Sequence, residues 1–348
     1  MKIVHLLTTS HFSGAENVVS QIIGLFADSD CEMIYCSPDG QINEALRERN
    51  ISFYPISDFT SEAVSKAFEK IKPDIIHAHD MRASYMAAKV CGRIPVISHI
   101  HNNGFDARKL SKKTLGFLWA SRKINHIFWV SKSAASDFFF NKFVSAKSSV
   151  LPNIIDLVKL RSRAAEAKES DTYDVVFLGR MQYPKNPMRF VDIINILKSK
   201  YPSVKAAIIG QGDQRELTEQ KIKDYKLEDN VHLLGFLSNP MEILRKAKAL
   251  VMTSFWEGTP MCSLEALGLG TPVVSTPVDG LKDIIVNEDN GYLSDSDEEL
   301  ANQLYKILTN KDYYSKLSDA AIKTAERIND KSHYREAIIK EYNNALKK

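Results

Sequence analysis

Residues 254–277 read SFWEGTPMCSLEALGLGTPVVSTP and follow the apolar run ALVMT at 249–253. The stretch predicts a strand, a Gly-Thr-Pro turn, a short helix and a second strand, PVVST. Short unbroken apolar runs are what parallel strands covered on both faces look like, and strand–helix–strand is the repeating unit of such a sheet. Pro260 can start the helix, because proline is tolerated at the first helical position. A helix start leaves backbone N–H groups unpaired, and these suit a phosphate. Glu257 stands in the turn and Glu265 inside the helix, with seven residues between them. A carboxylate in the apolar setting LEALGL needs a hydrogen-bonding partner. A ribose with two adjacent hydroxyls would satisfy it, so the stretch is expected to hold a sugar nucleotide.

The same alternation runs in both directions from this stretch. Before it come DVVFLG at 174–179, VKAAIIG and NVHLLGF, each followed by a helical segment, and LKDIIV and GYLS come after it. Nearer the N-terminus, KIVHLLT, EMIYCS, SFYPI, DIIHAHD, PVISHIH, HIFWVS and SSVLPN form a first series. Between the two series, RSRAAEAKESDTYD is charged and poor in large apolar residues, and predicts a linker or an exposed helix. The expectation is an α/β protein of two Rossmann-like parallel-sheet domains. They would be a first over 1–165, a second over 166–325, and a helical tail over 326–348 packing back on the first. Tandem domains of this kind bind ligands in a cleft beside the carboxyl ends of their strands.

The chain has 348 residues, 44% hydrophobic and 26% charged, with a net charge of +3. That balance is ordinary for a soluble globular protein and gives no reason to expect a nucleic-acid partner. Four scattered cysteines, Cys31, Cys36, Cys91 and Cys262, have neither disulfide-framework nor zinc spacing and read as reduced thiols of a cytoplasmic protein. The first residues, MKIVHLLTTSHFSGAEN, read as a strand and not as a signal peptide.

Three further groups carry candidate chemistry. Gly14 lies in SGAEN between the first strand and the first helix, where a missing side chain lets a ligand approach the backbone. No P-loop and no three-glycine dinucleotide fingerprint is present there. His77 and His79, then His99 and His101, are spaced by two, so each pair points to one side of its strand. Zinc lacks its usual flanking ligands, and no metal is expected. His101 stands beside Asn102, Asn103 and Gly104 at a strand end, where it can hydrogen-bond a substrate hydroxyl near neutral pH. In GRMQYPKNP, Arg180 follows a strand and Lys185 comes five residues later. Two cations so placed suit a diphosphate.

At these residues the sequence resembles the retaining glycosyltransferases of family 4, which have the two-domain GT-B fold. The resemblance covers nearly the whole chain and is strongest from Val175 to Gly291. It implies that Glu265 binds the nucleotide ribose, and that Glu257 with the backbone of Gly258, Thr259, Pro260 and Met261 holds the donor sugar. It implies that Arg180 and Lys185 grip the diphosphate, that Gly14 lies near the phosphates and that His101 contacts the sugar. Gly210 and Gly212 match the family's G-x-G turn, and the loop with Phe236 and Leu237 the place of the base. The sequence departs from the family pattern at Asn153–Asp156, at Asp279-Gly280, at Asp283 and at Ser13.

The resemblance further implies a nucleoside diphosphate sugar as co-substrate, with no cofactor and no metal, and a glycan or lipid-linked acceptor. Uridine is the default nucleoside of the donor, and guanosine is the alternative. Alternatives of the same fold are a nucleotide-sugar epimerase and a non-catalytic sugar-nucleotide-binding subunit.

Residues 108–123 supply a further expectation. At helical spacing Lys109, Lys112, Lys113 and Lys123 share one arc, and Leu110, Leu115, Phe117, Leu118 and Trp119 occupy most of the rest. Such a segment can lie on an anionic membrane, which would put the protein at the inner face of the cell membrane.

Overall fold

The computed structural model describes residues 1–12, 14–101, 104–166 and 171–347. Ser13, Asn102 and Asn103, which entered the sequence argument, lie outside the described residues. The chain divides into two compact units, Met1–Ile154 with Asp330–Lys348, and Ile155–Asn329.

The first unit holds seven strands: β1 Lys2–Leu6, β2 Glu32–Pro38, β3 Phe53–Ile56, β4 Ile75–His79, β5 Val96–Ile100, β6 Ile124–Trp129 and β7 Ser148–Val150. Their order in the sheet is β3-β2-β1-β4-β5-β6-β7, and every pairing is parallel. All residues of β4 and β5 are buried, as strands covered on both faces require. The helix Lys331–Leu346 packs beneath this sheet through Tyr334, Ile338, Tyr342 and Ala345.

The second unit holds β8 Val175–Leu178, β9 Ala206–Ile209, β10 Val231–Gly235, β11 Ala249–Met252, β12 Val273–Ser275 and β13 Gly291–Leu293. The order is β10-β9-β8-β11-β12-β13, again parallel throughout. In each sheet the order reverses beside the unit's first strand, at β1/β4 and at β8/β11. Connections on the two sides of such a switch point diverge to opposite faces and leave a crevice at the strand ends.

Two local expectations are corrected. The first residues of the charged stretch, 161–165, take the helical alternative in the helix Leu157–Ala165, capped by the Asp156 carboxylate at the N–H groups of Val158 and Lys159, and 167–170 lie outside the described residues. This helix counts with the second unit, although the sequence expectation put it in the first domain. LKDIIV is not a strand. Asp279–Lys282 make one helical turn, and the apolar pair Ile284–Ile285 is buried in the turn that follows.

Candidate active site

The carboxyl ends of β8 and β11 bring the acidic and basic candidates of the second unit together. The chain leaves β8 through Gly179 and Arg180, makes a short 3-10 turn at Tyr183–Lys185, and enters the helix Pro187–Lys200 through Asn186. Asn186 is left-handed, at φ 48°, and turns the chain sharply between those elements. Thr253, just past β11, donates its hydroxyl to the carbonyls of Lys185 (3.1 Å) and Asn186 (2.8 Å). The Phe255 N–H donates to the Pro184 carbonyl at 2.9 Å. The two loops are therefore fastened to each other.

That fastening sets Lys185 against Glu257. The Lys185 ammonium donates to Glu257 Oε1, and the Ser254 hydroxyl donates to the same oxygen at 2.7 Å. Burial pulls the Lys185 ammonium toward neutrality, but the Glu257 carboxylate outweighs it and the net shift is upward. Lys185 stays charged. Arg180 is exposed, and its charge acts on Lys185 with the opposite sign from Glu257. Arg180 forms no ion pair among the described residues. The neighbouring Cys262 thiol is pushed up to about 12, chiefly by burial, which removes it as a thiolate nucleophile.

Two glycines allow the crowding behind Arg180. Gly210 has φ +147°, and a β-carbon there would lie 1.9 Å from the Gly179 carbonyl oxygen. At Gly212 the same test gives 2.1 Å to the Met181 carbonyl oxygen. A third close approach was not anticipated from sequence. At Gly280 a β-carbon would lie 1.7 Å from the Gly258 carbonyl oxygen, so the loop after β12 rests directly on the Glu257 loop.

The helix of the opening stretch begins at Met261, with Pro260 as its N-cap and not as its first residue, and no side chain caps it. Thr259, Pro260 and Met261 are buried. Glu265 lies one turn further on. Burial raises its carboxyl to about 7, opposed by the Arg163 guanidinium on the helix Leu157–Ala165. No hydrogen bond to the Glu265 carboxyl forms among the described residues. Phe236 is 68% exposed, whereas Leu237 packs beside Tyr173, Val176 and Ile243. Tyr183, Phe255 and Trp256 form an aromatic group at the loop tips, with the Tyr183 and Phe255 rings 5.0 Å apart. Sequence reasoning singled out neither this group nor Arg163.

In the first unit, the histidines converge. His77 and His79 point to one side of β4, His99 and His101 to the same side of β5 and its end, and His5 of β1 joins them. His79 Nε2 lies 3.0 Å from His5 Nδ1, and His79 Nδ1 lies 2.9 Å from His101 Nε2. His77 Nδ1 is hydrogen-bonded to the Tyr342 hydroxyl at 2.6 Å. His101 stands at the end of β5 and is buried. It is 8% exposed, and burial lowers its pKa to about 4, so at neutral pH it is an uncharged hydrogen-bonding group. Two triads, His5/His77/His79 and His79/His99/His101, have ligand atoms close enough for a metal ion, but neither contains a carboxylate or thiolate to balance its charge. Gly14 opens the helix Gly14–Leu25, and a β-carbon there would meet nothing within 4 Å. Two residues on, Glu16 is buried and accepts from the Thr9 hydroxyl at 2.8 Å.

The helix Lys112–Ser121 takes up only part of the segment 108–123. Phe117 is fully buried, but Leu110, Leu115 and Trp119 are 60%, 49% and 41% exposed beside Lys109, Lys112, Lys113 and Lys123. Lys109 lies over the Phe105 ring at 4.2 Å and Lys123 over the Trp119 ring at 5.9 Å. No helix among the described residues is long and apolar enough to cross a membrane.

Comparison with known proteins agrees with this architecture. Residues 158–324 match the family model "Glycosyl transferases group 1", and residues 12–159 match "Glycosyltransferase Family 4". The chain belongs to the family 4 glycosyltransferases and has the GT-B fold. It is 25% identical over 325 residues to the UDP-Gal:alpha-D-GlcNAc-diphosphoundecaprenol alpha-1,3-galactosyltransferase of Escherichia coli, covering 84% of each chain. It is 26% identical over 255 residues to the poly(glycerol-phosphate) alpha-glucosyltransferase of Bacillus subtilis. That match takes in 72% of this chain and spans only 37% of the relative. In structure it is similar to Anabaena HepE in complex with UDP and glucose, with a TM-score of 0.86 at 20% identity, covering 99% of this chain and 100% of that one.

Proposed function

We propose that the protein transfers a sugar, with retention of configuration, from a UDP-sugar to a hydroxyl of a glycan or lipid-linked acceptor in the synthesis of a cell-surface polysaccharide. The observation that carries this reading is the charged group at the β8/β11 switch point. A fastened Lys185–Glu257 pair lies beside Arg180, and the carboxyl of Glu265 lies one helical turn into the next element; among the described residues Arg180 has no ion pair and the Glu265 carboxyl no hydrogen bond. Relatives named for UDP-galactose and undecaprenol diphosphate, and a structural neighbour holding UDP and glucose, support the donor and acceptor classes.

In this reading the nucleotide lies on the second unit. Glu265 accepts from both ribose hydroxyls, and the loop at Phe236–Leu237 holds the base. As the glycosidic C–O bond breaks, negative charge develops on the leaving diphosphate. Arg180, Lys185 and the first N–H groups of the Met261 helix are fixed in advance to stabilise that charge. Glu257 orients Lys185 and holds the donor sugar with the Gly258–Met261 backbone. The acceptor oxygen adds to the anomeric carbon from the side the phosphate leaves, and its proton passes to the departing phosphate oxygen. These side-chain cations take the part a divalent metal plays elsewhere. The first unit receives the acceptor, with Gly14 leaving room for phosphate and His101 meeting the sugar. Leu110, Leu115 and Trp119 with their flanking lysines rest on an anionic membrane.

A thermal-shift panel of UDP-, GDP- and ADP-sugars, followed by donor-hydrolysis assays on the stabilising ligands, tests the reading. A UDP-sugar should raise the melting midpoint and release UDP. Stabilisation by no nucleotide sugar would exclude it.

A further inference from the structure

His5, His79 and His101 form a row across the carboxyl ends of β1, β4 and β5. The rings of His5 and His79 are inclined by 22° with centroids 5.3 Å apart, and those of His79 and His101 by 18° at 5.2 Å. In both cases the centroid separation exceeds the N···N distance by about a ring's width, so the rings meet edge to edge, nitrogen to nitrogen. The pairs His77/His79 and His99/His101, at 4.5 Å, stack face over face instead. The two nitrogens of His79 point at different neighbours and do not converge on a common centre. Hydrogen bonding fits this arrangement better than metal chelation.

A neutral imidazole carries one proton, on one of its two nitrogens. Burial keeps all three rings neutral. Each contact in the row needs one donor and one acceptor, so choosing the proton on one ring fixes the others. Only two arrangements exist. Either every ring donates toward His5, or every ring donates toward His101.

The ends of the row decide between them. His5 Nε2 and His101 Nδ1 have no hydrogen-bond partner among the described residues. A buried N–H with nothing to accept it is the costlier orphan, and it belongs where an acceptor can arrive. His5 is 0% exposed and His101 8%. The Glu16 carboxylate also acts on the His101 ring, favouring positive charge there. We infer that His5, His79 and His101 are one tautomeric unit, in which His5 and His79 are positioning residues that hold His101 Nδ1 as a hydrogen-bond donor to an oxygen of the bound substrate. That the oxygen is a sugar hydroxyl rests on the function proposed above, whereas the proton arrangement rests on the row alone.

The test is ¹⁵N–¹H correlation on the full chain with ¹⁵N-labelled histidine at neutral pH. In the unliganded protein all three rings should be neutral and protonated at Nδ1. In His79→Phe, His101 should lose that single tautomer. Donor turnover should fall about tenfold, the effect of one lost hydrogen bond of about 1.4 kcal/mol. His5→Phe should act in the same direction, while His5→Asn, whose amide replaces Nδ1, should restore the wild-type His101 signal. This His5 pair gives the comparison if His79→Phe does not fold. Protonation of His101 at Nε2 in the wild type, or an unchanged His101 signal in a folded row-breaking variant, would overturn the inference. Stoichiometric movement of the three ring signals on adding zinc would also overturn it. If the tautomer is as inferred but a UDP-sugar leaves the His101 signal in place, the sugar contact fails and the tautomeric unit stands.

Discussion

Lys185 and Glu257, seventy-two positions apart, share a charged hydrogen bond that is fixed by Thr253 and Ser254 and not by either residue alone. The loop after β8 therefore cannot shift without carrying the loop after β11 with it. A phosphate meeting Lys185 meets a cation whose geometry is already determined, which is the condition for electrostatic stabilisation at no reorganisation cost.

Replacing that cation should cost chemistry more than structure. Lys185→Ala is expected to lower turnover by about 10²-fold or more, with the circular dichroism spectrum unchanged. Glu257→Gln keeps the lysine but loosens it, and should lower turnover less than Lys185→Ala. Near-normal rates for Lys185→Ala would remove the diphosphate role.

Glu265 gives a pH signature. Its carboxyl sits at about 7 in the fold, above the ordinary 4.5 of an unfolded chain. The folded state therefore binds the proton more tightly, and this contribution to stability is lost as pH rises from 4.5 through about 7. Ribose hydroxyls donate best to the ionised form. UDP affinity should rise between pH 6 and 8 in the wild type and stay flat in Glu265→Gln, as measured by calorimetry. A flat profile in both proteins would exclude the ribose contact.

The buried histidines have the opposite sign. His5 and His101, at about 3 and about 4, and His77, His79 and His99, well below 6.5, all have depressed values in the fold. Their contribution is intact above pH 6.5 and is lost as pH falls through that value toward 4. Unfolding at pH 5 should take up about five protons from these rings, visible as a steep fall in urea stability between pH 7 and 5. Uptake of one proton or fewer would mean that the rings are already charged in the fold.

Glycines with and without a steric role should separate cleanly. Gly210→Ala puts a β-carbon into the Gly179 carbonyl at a positive φ and should destabilise by about 1–3 kcal/mol. Gly14→Ala meets nothing in the protein and should leave the melting temperature within about 1 °C, while raising the KM for the donor if phosphate approaches there. Equal melting temperatures for Gly210→Ala and the wild type would contradict the close approach.

Membrane contact is testable by vesicle sedimentation. The wild type should bind anionic vesicles in preference to neutral ones. Leu115→Ser with Trp119→Ser should weaken binding without lowering stability, since both side chains are exposed. Equal sedimentation with both lipids would rule the contact out.

The alternation of strands and helices was legible because buried parallel strands read as short apolar runs, as in VVFL at 175–178 and ALVM at 249–252. The Glu257/Glu265 spacing and the Arg180/Lys185 loop were legible because each lies within one local segment. The Lys185–Glu257 bond was not, since it depends on β8 and β11 being neighbours although β9 and β10 intervene in sequence. His5 was passed over for a similar reason. It looks like an ordinary strand residue until β4 is laid beside β1. Arg163 sits in a charged stretch with no pattern to distinguish it, and only folding brings its charge near Glu265. Pro260 was read one position too far into the helix, because proline suits the N-cap and the first turn alike.

Tyr342 closes against His77 and Phe26 from a helix that follows the whole second unit in the chain. During synthesis the second unit is complete, and free to fold, before the segment that finishes the first unit's core leaves the ribosome. His77 must wait for its partner until roughly half of the polypeptide has passed. A nascent chain halted near Asn329 would display an unfinished sheet to chaperones and proteases, although all seven of its strands had already been made.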